Sequence, residues 1–183
     1  MLGGIVFLAI LETVQAQYTG WQHFGSLYLL TTPEGANLPA TASVLSGHSA
    51  NKAIVLTWDT VGQGEISGHI FNPHDRAGKS TTSVTKSGSG TWTLSGTNSY
   101  TGPTRVAGGV LACAASDVLG SGLLDISSGA KLQLNYAGTR KIAALTLNGG
   151  AAQAAGTYGS TASPAAHQDD SCFAGPGTVT VTP

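Results

Sequence analysis

Val106-Ala-Gly-Gly109, Ile126-Ser-Ser-Gly129 and Thr146-Leu-Asn-Gly149 fall at a fixed twenty-residue interval. Each opens on a β-branched residue and closes on glycine. A period of this length marks a repeat architecture, in which one unit cannot bury a core alone and stacks on its neighbours. In the stretch between two of these copies, Lys131-Leu-Gln-Leu-Asn135, leucines alternate with polar residues, so they share one face of a strand.

Outward from this centre the pattern continues. Ala53–Trp58, Glu65–Phe71, Ser83–Lys86, Thr91–Ser95, Thr104–Val106, Leu123–Ile126 and Ala144–Asn148 read as short strands, with Leu94, Val106, Ile126, Leu134 and Leu147 as stacked core positions. Gly- or Asn-containing corners separate them, and Gly62-Gln-Gly64 reads as a plain turn. Ala151–Ser171 is small and polar and reads as a loop, and Gly175–Thr182 as a closing strand that shields an open edge. Charged residues are 9% of the chain and glycine is 26 of 183, about twice its usual share. Helix-favouring surface residues are scarce apart from alanine, so the chain is expected to be all-β.

Net charge is −1, and no Lys or Arg precedes Lys52. Nucleic acid needs clustered cations to displace counterions, so the chain is not expected to bind it. Leu2–Leu11 is apolar but too short to span a bilayer. Val14-Gln15-Ala16 fits a small-residue cleavage site, which makes 1–16 a secretory signal cut between Ala16 and Gln17. The competing reading is a buried N-terminal strand or helix, since a basic start is missing. No later segment is apolar enough to form a membrane span.

Ser87–Thr104, SGSGTWTLSGTNSYTGPT, resembles the autotransporter-associated β-strand repeat, with Gly90, Leu94, Gly96, Asn98, Tyr100, Thr101 and Gly102 in register. Trp92, where an aliphatic is usual, and Pro103 depart from it. The resemblance implies a right-handed parallel β-helix of a bacterial secreted or surface protein. Ala144–Gly149, Ala155–Gly159, Asp169-Asp170 and Phe173–Gly175 resemble the element that ends such arrays. Tyr18–Ala42 resembles the opening of an uncharacterised extracellular domain found in the same proteins. The chain is thus expected to be a remnant holding a leader, the first strands of one domain, one repeat and its terminator. No translocator barrel follows, so self-export is not carried over.

The expected organisation is 17–50 as an N-terminal strand and cap segment, 51–150 as a short β-solenoid, and 151–183 as a C-terminal loop and capping strand. No catalytic, cofactor-binding or metal-binding residue is expected. Asp59 and Glu65 are candidate paired acids, but nothing in their spacing brings them together. His167, Asp169 and Asp170 form the densest polar cluster and read as turn formers in a solvated loop. His69 and His74 read as turn or surface histidines. Cys113 and Cys172 either form a disulfide that pins the cap to the stack or remain separate thiols. Tyr18, Trp21 and Tyr28 either stack on sugars or form the core under the first strands. The expected role is structural or adhesive and non-catalytic. Surface glycans or other surface proteins are the possible partners, and a carbohydrate-binding or carbohydrate-processing module is the alternative.

Overall fold

The computed structural model describes residues 63–72 and 80–182, together with the backbone of the strands within 27–57. Every regular element among these residues is a strand: β1 (Leu27–Thr31), β2 (Asn37–Leu38), β3 (Lys52–Thr57), β4 (Gln63–Ile66), β5 (Thr82–Ser87), β6 (Thr91–Leu94), β7 (Thr104–Val106), β8 (Val110–Cys113), β9 (Leu123–Ile126), β10 (Lys131–Leu134), β11 (Thr139–Ile142), β12 (Ala144–Leu147), β13 (Gly156–Gly159), β14 (His167–Gln168), β15 (Phe173–Ala174) and β16 (Thr178–Val181). The all-β expectation holds. Residues 1–16, read from sequence as a secretory signal, Gln17, where cleavage was expected, and Tyr18 and Trp21 lie outside the described residues.

Two six-stranded sheets carry the fold, in the orders β1-β3-β5-β7-β9-β12 and β2-β4-β6-β8-β10-β15. All their pairings are parallel. From β1 to β10 consecutive strands alternate between the two sheets. Each strand therefore lies beside the strand two places earlier in the chain. A smaller sheet, β11-β16-β13-β14, sits at the C-terminal end, and there β13 runs antiparallel to β16.

The period-two pattern explains the core. In β5 the inward row Thr82, Val84 and Lys86 is buried, while the alternate residues are half-buried. Stacking then lines up like positions from successive strands. Ile66, Leu94, Cys113 and Leu134 form one inward row. Gly64, Trp92, Leu111, Leu132 and Phe173 form another. Of the stacked aliphatics expected from sequence, Leu94, Val106, Ile126 and Leu134 are fully buried, and Leu147 packs half-buried against them.

Three readings need correction. Gly64 is not a turn residue but lies in β4, where a Cβ would sit 3.0 Å from the Trp92 indole. The unusual bulk of Trp92 is thus matched by the missing side chain one strand away. The third glycine copy is slipped: Val106 faces Ile126, but Ile126 faces Leu147 rather than Thr146. Finally, 151–171 is not all loop, because it contains β13 and β14.

The slip has a local cause. Asn148 and Gly149 both have positive φ, 57° and 70°, and the Gly150 N–H donates to Leu147 O at 2.9 Å. Two left-handed central residues give a primed turn, which reverses the chain. Gln153 N–H then donates to Leu145 O at 2.8 Å, and Ala152 bridges Thr146 antiparallel. The outer edge of β12 is covered in this way.

Candidate functional site

The chemistry-bearing side chains of the described residues are spent mainly on joining adjacent strands and corners. Asn98 is buried between two turns of the chain. Its Oδ1 accepts from Ile70 N–H at 2.7 Å, and its Nδ2 donates to Val118 O at 2.6 Å. One carboxamide thus satisfies a backbone donor 28 residues before it and a backbone acceptor 20 residues after it, which neither an apolar nor a charged residue could do. Asn72 does similar work: its Oδ1 accepts from Thr82 N–H and Thr101 N–H, both at 3.0 Å.

Lys86 was not singled out from the sequence, yet it is fully buried. Its ammonium donates to Ser87 O, Gly88 O and Gly108 O at 2.7, 2.8 and 2.9 Å. Three donors meet three carbonyls on two successive corners. Burial lowers its pKa from 10.5 to about 8. The sequence signal was parity, since Lys86 lies two residues from inward Val84 on one strand.

The motif glycines mark close backbone approaches. A Cβ on Gly96 would lie 2.2 Å from Gly68 O, and one on Gly102 would lie 2.2 Å from Thr82 O. Tyr100 is buried, and its hydroxyl meets Thr104 Oγ1 at 2.8 Å. Burial pushes its pKa up to about 12. On the outer face, Arg105 pairs with Asp125 at 3.3 Å, and Thr146 donates to Asp125 at 2.6 Å, a row across three neighbouring strands.

The sequence candidates do not converge. Among the described residues no three His, Cys, Asp or Glu side chains are grouped to hold a metal ion. Asp169 accepts from Ser171 N–H and hydroxyl, and the hydroxyl bond holds its carboxyl below the usual range. Asp170 accepts from Thr161 N–H at 2.8 Å and its hydroxyl at 2.7 Å. The His167 ring stacks on Tyr158 instead, with centroids 4.7 Å apart. His69 contacts Ser99 at 2.8 Å, and the Ser95 hydroxyl donates to Glu65. Asp59 and His74 lie outside the described residues. Tyr28 falls in β1 opposite Ile54.

Cys113 and Cys172 are both buried and free. Cys113 ends β8 and Cys172 precedes β15, with β10 between them. Two strand spacings are about 10 Å, beyond the ~7 Å Cα reach of a disulfide. The bridge is therefore not made, and strand pairing of β15 with β10 and of β16 with β11, together with packing, holds the C-terminal strands. Burial raises the pKa of both thiols.

No helix among the described residues is long and apolar enough to cross a membrane. Neither the curated proteins nor the solved structures yield a match to the chain. Residues 84–112 match the family model of the passenger-associated-transport-repeat. That segment runs from inward Val84 through β6 and β7 to Ala112 in β8, and it contains Lys86, Asn98 and the close-approach glycines described above. The chain therefore carries a repeat of the autotransporter-associated, passenger type.

Proposed function

We propose that this chain is a non-catalytic, structural or adhesive parallel β-solenoid of a bacterial passenger protein, secreted or held at the cell surface. One observation carries the reading: Asn98, Asn72 and Lys86 use their polar atoms to bind one coil to the next. A side chain saturated by neighbouring backbone is a building element and has no capacity left for acid–base work. Alternation of consecutive strands between two parallel sheets supports the solenoid. Parallel crossovers are right-handed by general rule, which favours that hand here. The organisation that follows is an exported leader, an N-terminal cap segment, a stack over 51–150, and a closing element beyond it.

The test is an affinity gel and a turnover assay against cellulose, xylan, pectin and mucin glycans. A structural chain migrates unretarded and releases no new sugar ends. Retardation lost in Trp21→Ala or Tyr28→Ala would replace this reading with a carbohydrate-binding module. Release of reducing or unsaturated ends would replace it with an enzyme.

A further inference from the structure

We propose that Asn148 is a site of spontaneous deamidation, a slow covalent change placed in the turn that closes the first sheet. Asn148 is exposed and is the one non-glycine residue with positive φ among those described. It precedes Gly149, and even a built Cβ on Gly149 would meet nothing within 4 Å. The backbone nitrogen of Gly149 therefore carries no side chain to hinder its approach to the Asn148 carboxamide. The Cys172 thiol lies 3.6 Å from Asn148 Oδ1 and can donate to it, drawing electrons from the carbon under attack. The other described asparagines lack this combination. Asn98 and Asn72 have their amides occupied across coils, and Asn135 is followed by the bulky, buried Tyr136.

The chemistry balances without an outside reagent other than water. Gly149 N–H loses its proton to base, and the nitrogen attacks Asn148 Cγ. The bond from Cγ to the side-chain nitrogen breaks, and that nitrogen leaves with the proton as ammonia. Water then opens the succinimide at either carbonyl, giving aspartate or isoaspartate. Attack requires rotation within the turn, which the Gly150-to-Leu147 bond resists. A single exposed bond of this kind opens locally without unfolding the rest.

The product is not neutral for the fold. Isoaspartate lengthens the main chain by one methylene inside the turn that lays 151–153 along β12. The aspartate product also places a carboxylate beside Cys172, which already contacts Asp169. Like charges so close loosen the closure.

The experiment ages the folded full chain in alkaline and mildly acidic buffers, then maps it by mass spectrometry. Asn148 is expected to gain the mass of an amide-to-acid exchange, faster in alkali, with isoaspartate detected by enzymatic methyl transfer. Asn148→Gly, which tolerates positive φ and has no carboxamide, shows no gain in that peptide. Hydrogen exchange at Gly150 and Gln153 quickens in the aged protein. A folded chain that keeps Asn148 intact while the urea-unfolded chain converts would overturn the proposal. Conversion of buried Asn98 ahead of Asn148 would do the same.

Discussion

The stack between Thr82 and Leu147 and the segment 151–171 use the same small polar residues under different rules. In the stack, a side chain answers to a residue one coil away: Asn98 to Ile70 and Val118, Lys86 to Gly108, Thr146 to Asp125. In 151–171 the reach is shorter: Ser171 to Asp169, Ser163 to Ser160 and Thr161 to Asp170, with Ser160 to Gly175 the longest of these at 15 residues. A stack position is thus constrained by residues twenty to thirty positions distant, on neighbouring strands and corners. A position in the closing segment is constrained at shorter range.

The sharpest way to break this contrast is with glycine. Gly96→Ala places a methyl against the carbonyl oxygens of Gly68 and Ser67, which belong to backbone and cannot turn aside. Overpacking of this kind should cost about 3 kcal/mol or more. In Gly159→Ala the nearest atom is the Ser163 hydroxyl, a side-chain end that can rotate. Its loss should be clearly smaller. Urea unfolding midpoints compare them, and equal losses would erase the distinction.

A middle-sized effect separates Asn98 from Asp170. Asn98→Leu strands a buried N–H on Ile70 and a carbonyl on Val118, each costing about 1–3 kcal/mol. Asp170→Ala releases Thr161 groups that water can take over, because the pair is exposed. Its midpoint should not move measurably. Thermal unfolding of both variants decides it, and a larger loss at Asp170 would break the comparison.

The smallest effect sharpens it through pH. Folded Lys86 has a pKa of about 8 against 10.5 when unfolded, so between these values the unfolded chain binds more protons. Stability must then rise with pH across that window. Tyr100 opposes this from about pH 10 upward, because its folded pKa of about 12 makes the unfolded chain lose protons first. The buried thiols Cys113 and Cys172 oppose it earlier, from about pH 9, because the unfolded chain loses their protons first. Stability should therefore climb from pH 8 to about 9 and then level and fall. Lys86→Met removes the climb whatever it does to the midpoint. A climb that survives the substitution places the titration elsewhere.

Much of the stack was readable because periodicity is a backbone property written in side chains. Leu132 and Leu134 alternate with polar residues and are buried as expected. The turn at Asn148 was not readable at its true register. A glycine kept its positive φ while the turn around it moved by one residue, and spacing alone cannot tell those two arrangements apart. Gly64 was misread for a related reason: its need for no side chain comes from Trp92, twenty-eight positions later. Strands β13 and β14 escaped because small and polar composition hides the alternation that buried partners would reveal. The cysteine count left a bridge and two separate thiols both open, and the intervening β10 decides for separate thiols.

The pairing register also sets the order in which the chain can come together. Thr91 meets Val110, and Val110 meets Lys131, so each new strand closes a loop of about twenty residues on one already placed. The final closure brings Phe173 to Leu132, a step about twice as long. Loop-closure entropy grows only logarithmically, and doubling the loop costs about 0.6 kcal/mol. The last strand of the second sheet is therefore delayed rather than forbidden, and only β16 is synthesised after it. Stacking can advance coil by coil without it, so the docking of Phe173 completes assembly rather than starting it. A substitution that weakens this docking should speed unfolding more than it slows folding, because contacts absent from the transition state act on the reverse rate.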